Sequence, residues 1–284
     1  MYDCIIIGTG VAGVSAALTL KALKRSFIIL GDKSLSLKVR SAENIKNYPA
    51  LPDVSGEQLT AALKDQLKGE EIEITQAKAN GVYPSEGGYN VMCGQQVYEA
   101  KTVILATGVE TVKPVKGELE FLGRGVSYCA VCDGFLYKGK SVAVIAESEE
   151  ELHDVELLSK YAQTIYLFAA RKGLQVNAEN VKNMSGRVTE IAGDMRVREV
   201  VTADGEKLAV DGVFVLKQSV GAGSLVHGLE TQNGIVTVDR ACATNLAGVF
   251  AAGDITGRPY QYAKAAGEGN VCAYSVNAYL NAAK

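Results

Sequence analysis

Proline is scarce in this chain, at 5 of 284 residues, and no low-complexity tract interrupts the sequence. A disordered linker protein is therefore excluded. No apolar run approaches the ~18 residues of a membrane span. The start, Met1-Tyr2-Asp3-Cys4, carries an acid where a secretory leader needs basic residues. A soluble, cytoplasmic protein with no membrane partner is expected. An excess of one charge is also missing. The 29 basic residues face 32 acidic ones, a net −3, which does not mark a nucleic-acid binder. Six cysteines in so long a chain do not make a disulfide-stapled mini-protein.

What remains is a chain that is 48% hydrophobic and long enough for about two domains. It holds 30 glycines without a collagen-like period, so many of them belong to tight loops. The apolar run Cys4–Ile7 leads into Gly8-Thr9-Gly10-Val11-Ala12-Gly13. A helical stretch follows with Val14, Leu18 and Ala22 on one face, then a strand over 26–30 and the pair Gly31-Asp32. Strand, GxGxxG, helix and strand, with an acid 19 residues after the last glycine, form the dinucleotide fingerprint in its required frame. Gly8 permits the tight turn, Gly10 lets a pyrophosphate approach, and Gly13 lets the helix pack on the strand. The helix N-terminus then offers free N–H groups to the anion.

The frame repeats with a strand over 141–145, a helix carrying Leu152, Val155, Leu158 and Ala162, and a strand over 164–168. The second loop, Ala146-Glu147-Ser148-Glu149-Glu150-Glu151, has no glycine and is crowded with acids. Those acids suit a helix N-terminus but repel a phosphate. The fold is expected to persist here with its ligand lost, the alternative being a solvated acidic face beside an intact site. Further strands are expected over 102–106, 212–216 and 249–252, and the loops Ala106-Thr107-Gly108 and Ala252-Gly253-Asp254 return toward the first cofactor site.

Cys129 and Cys132 are the one close cysteine pair. With no second CxxC and only His153 and His227, no metal site is expected. A reversible disulfide fits better, because the spacing allows closure and a helix start favours a thiolate. Asp133 admits two readings, a proton carrier or a helix-start cap.

The segment Gly123-Arg124-Gly125-Val126-Ser127-Tyr128-Cys129-Ala130-Val131-Cys132-Asp133-Gly134-Phe135 closely resembles the active-site segment of low-molecular-weight, bacterial-type thioredoxin reductases. The first GxGxxG, Asn47-Tyr48-Pro49, Ala106-Thr107-Gly108, Gly253-Asp254 and Gln261 extend the resemblance over nearly the whole chain. It implies an α/β protein of two Rossmann-like, three-layer ββα domains, the second inserted in the first. Residues 1–112 and 236–284 would form a discontinuous FAD-binding domain. Residues 113–235 would form a degenerate NAD(P)H-like domain carrying the cysteines. The implied FAD contacts are Gly8, Gly10, Val11, Ala12, Gly13, Gly31, Asp32, Lys33, Asn47, Ala106, Thr107, Gly108, Gly253, Asp254, Tyr260, Gln261, Tyr262 and Ala263. The resemblance also implies a homodimer. It sets Cys132 against the flavin, gives Cys129 the attack on thioredoxin, and makes Asp133 the proton donor and acceptor.

Two coupled departures argue against NADPH. The second glycine loop is gone, and the family's basic cluster for the 2′-phosphate falls on Ala169, Ala170, Arg171 and Gln175. The family's Arg before the flavin-contacting Gln is Tyr260, and Ser219-Val220-Gly221-Ala222 replaces its Pro-Asn region. The pattern is similar to the ferredoxin-dependent flavin thioredoxin reductases of anaerobic bacteria. It implies ferredoxin as electron donor and thioredoxin as disulfide substrate. Another donor, unusual NADH use, and a flavin redox sensor without turnover stay open. From Lys21 to Lys46 lie seven basic residues and two acids, +5 against −8 for the remainder. This stretch reads equally as a docking patch for an acidic ferredoxin or as ordinary solvated surface.

Overall fold

The computed structural model describes all residues except 52, 109–113, 148, 150, 171–172, 217–221 and 283–284, and only the backbone of Cys132 and Ala222. The chain divides into two compact units, Met1–Val109 with Gly221–Lys284, and Glu110–Val220.

In the first unit, β1 (Tyr2–Ile7), α1 (Val11–Ala22) and β2 (Phe27–Gly31) open a parallel sheet. The short α2 (Leu37–Arg40) leads to α3 (Gly56–Gly69), whose start carries a capping box between Ser55 and Gln58. The edge strand β3 (Ile74–Gln76) is followed by the antiparallel strands β4 (Gly81–Ser85), β5 (Gly88–Cys93) and β6 (Gln96–Leu105). Strand β6 is long enough to serve two neighbours along one edge. Its first half pairs with β5 and its second half with a late strand, while its other edge pairs in parallel with β1.

The second unit builds a parallel sheet from β7 (Val126–Ser127), β8 (Ser141–Ala146), β9 (Thr164–Ala169), β10 (Val181–Met184) and β14 (Gly212–Leu216), in the order β10-β9-β8-β14-β7. The redox segment follows β7 as α4 (Ala130–Asp133), and α5 (Leu152–Ser159) connects β8 to β9. A small antiparallel sheet of β11 (Val188–Gly193), β12 (Val197–Thr202) and β13 (Lys207–Ala209) covers the other face. Alternation sorts the two cores. Val142 and Val144 face Val155 and Leu158 of α5, whereas Ala143 and Val213 face Val188, Ile191 and Val200. Helix on sheet on sheet is the three-layer ββα arrangement expected from the sequence.

The chain returns to the first unit with α6 (Ala222–Leu225), the hairpin β15 (Thr231–Gln232) and β16 (Ile235–Val236), β17 (Val249–Ala251) and α7 (Tyr262–Ala282). The return comes earlier than the 235/236 boundary expected from sequence. Leu225, Val226 and Leu229 are buried in one cluster with Val82, Val236 and Val249, so the segment from Leu225 onward packs with the first unit. The expected crossing at 112/113 lies outside the described residues.

The face assigned to α1 also differs. Val14 is fully buried, but Ala22 is exposed, and Val11, Ala12, Ala16, Ala17 and Leu20 are all buried. The helix lies between the sheet and α7, so it is apolar nearly all round. A Cβ on Gly269 of α7 would stand 2.1 Å from the Ala12 carbonyl, so only glycine allows this approach. Among the described residues no helix is long and apolar enough to cross a membrane.

Candidate functional site

In the first unit the chain turns one way from β1 to β2 and β3 and the other way to β6 and β17. The crevice at such a reversal is the ligand site of open α/β sheets. Gly8, at φ 117°, closes the turn after β1, and a Cβ there would meet the Ala106 carbonyl at 2.2 Å. A Cβ on Gly13 would meet the Gly8 carbonyl at 2.0 Å. Gly10 differs, because the nearest protein atom to its Cβ would be Ser36 Cβ at 3.9 Å. Protein packing therefore explains two of the three glycines, while the third keeps a space open from outside. The α1 N-terminus has no side-chain cap and no acid in its first turn, so its amides suit an incoming phosphate.

The other expected contacts gather at this end of the sheet. A Cβ on Gly31 would meet Thr9 at 2.7 Å, which makes glycine necessary there too. The exposed Asp32 accepts from the Ser34 amide at 2.7 Å, and the Lys33 amide donates to Gln76 Oε1 at 2.7 Å. Thr107 and Gly108 continue from buried Ala106 at the end of β6. Asn47 Nδ2 donates to Gln261 Oε1, 214 residues away in sequence. Val11 and Ala12 lie in the first turn of α1, and Tyr262 and Ala263 in the first turn of α7.

Several contributors carried no visible sequence signal. Lys38 pairs with Asp254 and stands 5.4 Å over the Tyr260 ring, as does Arg258. The largely buried Lys264 donates to the Gly253 carbonyl (2.7 Å), Thr256 Oγ1 (2.7 Å) and the Gly257 carbonyl (2.8 Å), and pairs with Glu268 at 3.0 Å. Glu268 also accepts from the Gly253 amide at 2.8 Å and from Thr256 Oγ1 at 2.9 Å. This network holds the Gly253-Asp254 turn.

The basic stretch 21–46 is not one patch. Lys24 and Arg25 follow the C-terminus of α1 beside Ser26, which pairs with the start of β1, so they lie opposite the glycine turn. The Arg25 guanidinium is taken by α7 through Asn277 Oδ1 (2.8 Å) and the Asn277 carbonyl (3.3 Å). Only Lys33, Lys38, Arg40 and Lys46 follow β2 on the glycine side, with Lys38 on Asp254 and Arg40 3.7 Å from Asp32.

In the second unit Cys129 is disulfide-bonded and nearly buried, while Cys4, Cys93, Cys242 and Cys272 are free thiols. The Cys132 backbone lies in α4, immediately after Cys129. Ser127 organises the segment. Its Oγ accepts the Cys129 N–H at 3.0 Å and donates to Asp133 Oδ2 at 2.6 Å. Asp133 precedes the short 3-10 turn Gly134–Tyr137 but makes no capping bond to it. Of its two sequence readings, the structure therefore removes the cap. Glu118, almost fully buried, accepts from Tyr128 Oη at 2.8 Å and from the Val115 amide at 2.8 Å, anchoring the residue before Cys129. Burial, then the nearby Asp133 charge, pushes the Tyr137 phenol above its ordinary range. Phe135 and Leu136 are 60% and 53% exposed beside the cysteines.

The second strand–helix turn is furnished differently from the first. Glu151 is buried, and its Oε2 accepts the Glu147 N–H at 2.8 Å. The chain's own carboxylate thus takes an amide at the turn where a nucleotide phosphate would bind, and Asp154 adds an acid in the first turn of α5. A phosphate at this turn would meet the Glu151 carboxylate and the Asp154 acid. Ser148, Glu150 and Arg171 lie outside the described residues, as do 219–221, and so does the side chain of Ala222. Among the described residues no group of three or more His, Cys, Asp or Glu is placed to hold a metal.

The chain matches the pyridine nucleotide-disulphide oxidoreductase family over residues 2–146 and 167–269. It is 33% identical to the thioredoxin reductase of Helicobacter pylori, covering 99% of both chains, and 31% identical to that of Listeria innocua, covering 100% of this chain and 95% of the other. Among solved structures, it is similar to a ferredoxin-flavin thioredoxin reductase from Clostridium acetobutylicum. The two are 38% identical with a TM-score of 0.91, over 99% of this chain and 98% of the other. A thioredoxin reductase from Gloeobacter violaceus follows at 30% identity and a TM-score of 0.80, over 100% and 95%.

Proposed function

We propose that this chain, which belongs to the pyridine nucleotide-disulphide oxidoreductase family and within it to the low-molecular-weight thioredoxin reductases, is an FAD-dependent thioredoxin-disulfide reductase fed by reduced ferredoxin. The observation that carries the choice of donor is the contrast between the two strand–helix turns. The first keeps its amides and an open glycine for a dinucleotide, whereas the second gives its Glu147 amide to Glu151. The likeness to the Clostridium acetobutylicum protein supports the same donor.

The residues of the first turn, with Asp32, Asn47, Gly253, Asp254 and Gln261, fit FAD. When bound, FAD takes up electrons singly and passes them on as a pair. The Cys129–Cys132 disulfide then gains two electrons and two protons and opens to a dithiol. The Cys129 thiolate attacks one sulfur of the thioredoxin disulfide and releases the other as a thiolate. Cys132 displaces the bound sulfur, which restores the protein disulfide and leaves reduced thioredoxin. Asp133 holds the exchanged proton, with Ser127 fixing its carboxylate. The exposed Phe135 and Leu136 give the incoming protein an apolar contact. The direction is downhill: low-potential iron–sulfur proteins lie near ~−400 mV and thioredoxin near ~−270 mV, and two electrons across that gap give about 6 kcal/mol.

An anaerobic titration of the holoprotein tests this. Reduced ferredoxin should bleach the flavin absorbance, and oxidised thioredoxin should restore it. Cys129→Ser should keep reducible flavin and lose thioredoxin reduction. Rapid bleaching by NADPH, or unchanged turnover in Cys129→Ser, would overturn the proposal. Bleaching by ferredoxin without thioredoxin reduction would mark a redox sensor instead.

A further inference from the structure

We propose that Cys242 and Cys272 form a second, reversible dithiol–disulfide couple in the first unit, chemically separate from the Cys129 disulfide. Both are free thiols buried in one cluster. They are seated on the two polar atoms of a single residue. The Ala251 N–H donates to the Cys242 carbonyl at 3.0 Å, and Cys272 Sγ lies 3.5 Å from the Ala251 carbonyl. The two side chains are also within hydrogen-bond reach of each other.

The backbone at Cys242 singles it out. Its φ is 59°, a left-handed conformation that favours glycine or asparagine. Asp239 builds the turn, its Oδ1 accepting the Ala241 and Ala243 amides at 2.8 and 2.9 Å. A side chain is retained at this strained position, and it reaches the Cys272 thiol. Ala241 next to it is exposed, so a small opening of the turn admits a solute.

Access assigns the roles. Cys272 is fully buried, whereas Cys242 is slightly exposed and adjoins the exposed Ala241. The contact with Cys272 also holds the Cys242 thiol below its ordinary value. Cys242 is thus the attacking sulfur. With a low-molecular-weight disulfide as oxidant, the Cys242 thiolate attacks one of its sulfurs, breaks the S–S bond and expels one thiolate. Cys272, on losing its proton, attacks Cys242 and expels the second. One protein S–S bond forms, two electrons pass to the oxidant, and the two protein protons end on the two released thiols. The new bond ties the Cys242 turn to α7, the helix that begins at Tyr262.

The test uses holoprotein equilibrated for hours in graded ratios of oxidised to reduced glutathione, quenched in acid, alkylated and mapped by mass spectrometry. A Cys242–Cys272 cross-linked peptide, two hydrogens lighter, should appear with rising oxidised fraction and vanish on reduction. It should form equally in wild type and in protein carrying Cys129→Ser and Cys132→Ser. Cys4, buried in the same cluster, should stay alkylatable and serves as the internal control. Cys242→Ser should abolish the link while the flavin content is unchanged. The proposal is overturned if both cysteines remain alkylatable at ratios that fully oxidise Cys129. A link from Cys272 to Cys4, or a link lost when Cys129 and Cys132 are replaced, would overturn it equally.

Discussion

Ser127 joins the ends of the redox segment, accepting from the Cys129 amide and donating to the Asp133 carboxylate. Replacing it with alanine leaves a nearly buried amide and a carboxylate each short of a partner, which costs about 1–3 kcal/mol. If that orientation acts in the reaction, Ser127→Ala lowers kcat/KM for thioredoxin by roughly 10- to 100-fold, and Ser127→Thr recovers most of it. Flavin content and flavin reduction by ferredoxin should not change, which separates this effect from misfolding. A second residue-level prediction concerns Cys4. Burial pushes its thiol up to about 12, while the unfolded chain titrates near ~8.5. Between those values the unfolded state has released a proton that the folded state keeps. Stability is therefore unaffected below pH ~8.5 and falls as pH rises toward 12. Urea midpoints taken from pH 8 to 11 should decline in wild type, and less steeply in Cys4→Ala. The sequence displayed the cysteine pair and the glycines, because spacing alone marks them. It did not display Ser127, Glu118 or Lys264, whose roles depend on which backbone groups lie within reach after folding.

At the scale of elements, continuous apolar runs were legible. The strands over 141–146 and 212–216 are buried on both faces, so nearly every residue is apolar. The antiparallel strands β4 and β5 went unread because they are short, partly exposed and interrupted by Gly81, Pro84 and Gly88. The buried face of α1 is not legible in the sequence, because a helix packed on two sides has no single stripe to detect. The second strand–helix turn was legible as a loss of glycine, but the return of the Glu151 carboxylate to the Glu147 amide was not. The start of α7 yields a prediction of its own. Lys264 satisfies the Gly253 and Gly257 carbonyls and the Glu268 carboxylate in a largely buried position. Lys264→Met takes the ammonium from all three acceptors and leaves the Glu268 carboxylate without its counter-charge, next to the turn that carries Asp254. Flavin affinity, measured by equilibrium dialysis of the released cofactor, should fall about 10- to 100-fold for a loss of about 1–3 kcal/mol. Lys264→Arg should restore part of it, and circular dichroism should show both variants folded. Unchanged flavin affinity in Lys264→Met would deny the network a role in holding the turn.

For the whole molecule, charge placement matters more than the net −3. An acidic electron carrier is drawn by local potential, and exposed charges act within about one Debye length, ~10 Å at 0.1 M salt. Folding spends the basic stretch unevenly. Arg25 is bound to α7, and Lys38 and Arg40 face Asp254 and Asp32. Lys33 and Lys46 stand exposed on the glycine side. If ferredoxin docks there, its second-order rate of flavin reduction should fall as salt rises from about 0.05 to 0.3 M, as steered encounters do. The double replacement Lys33→Glu with Lys46→Glu changes the local charge by −4 and should slow that rate at low salt by roughly 10-fold or more. Neither lysine belongs to the redox segment, but Lys33 is among the implied FAD contacts, so the rates are compared at equal bound flavin, and thioredoxin reduction by protein pre-reduced with dithionite should keep its rate. A double variant that reacts with ferredoxin at the wild-type rate in low salt would place docking elsewhere. The stretch would then be solvated surface, the reading that its sequence alone left equally open.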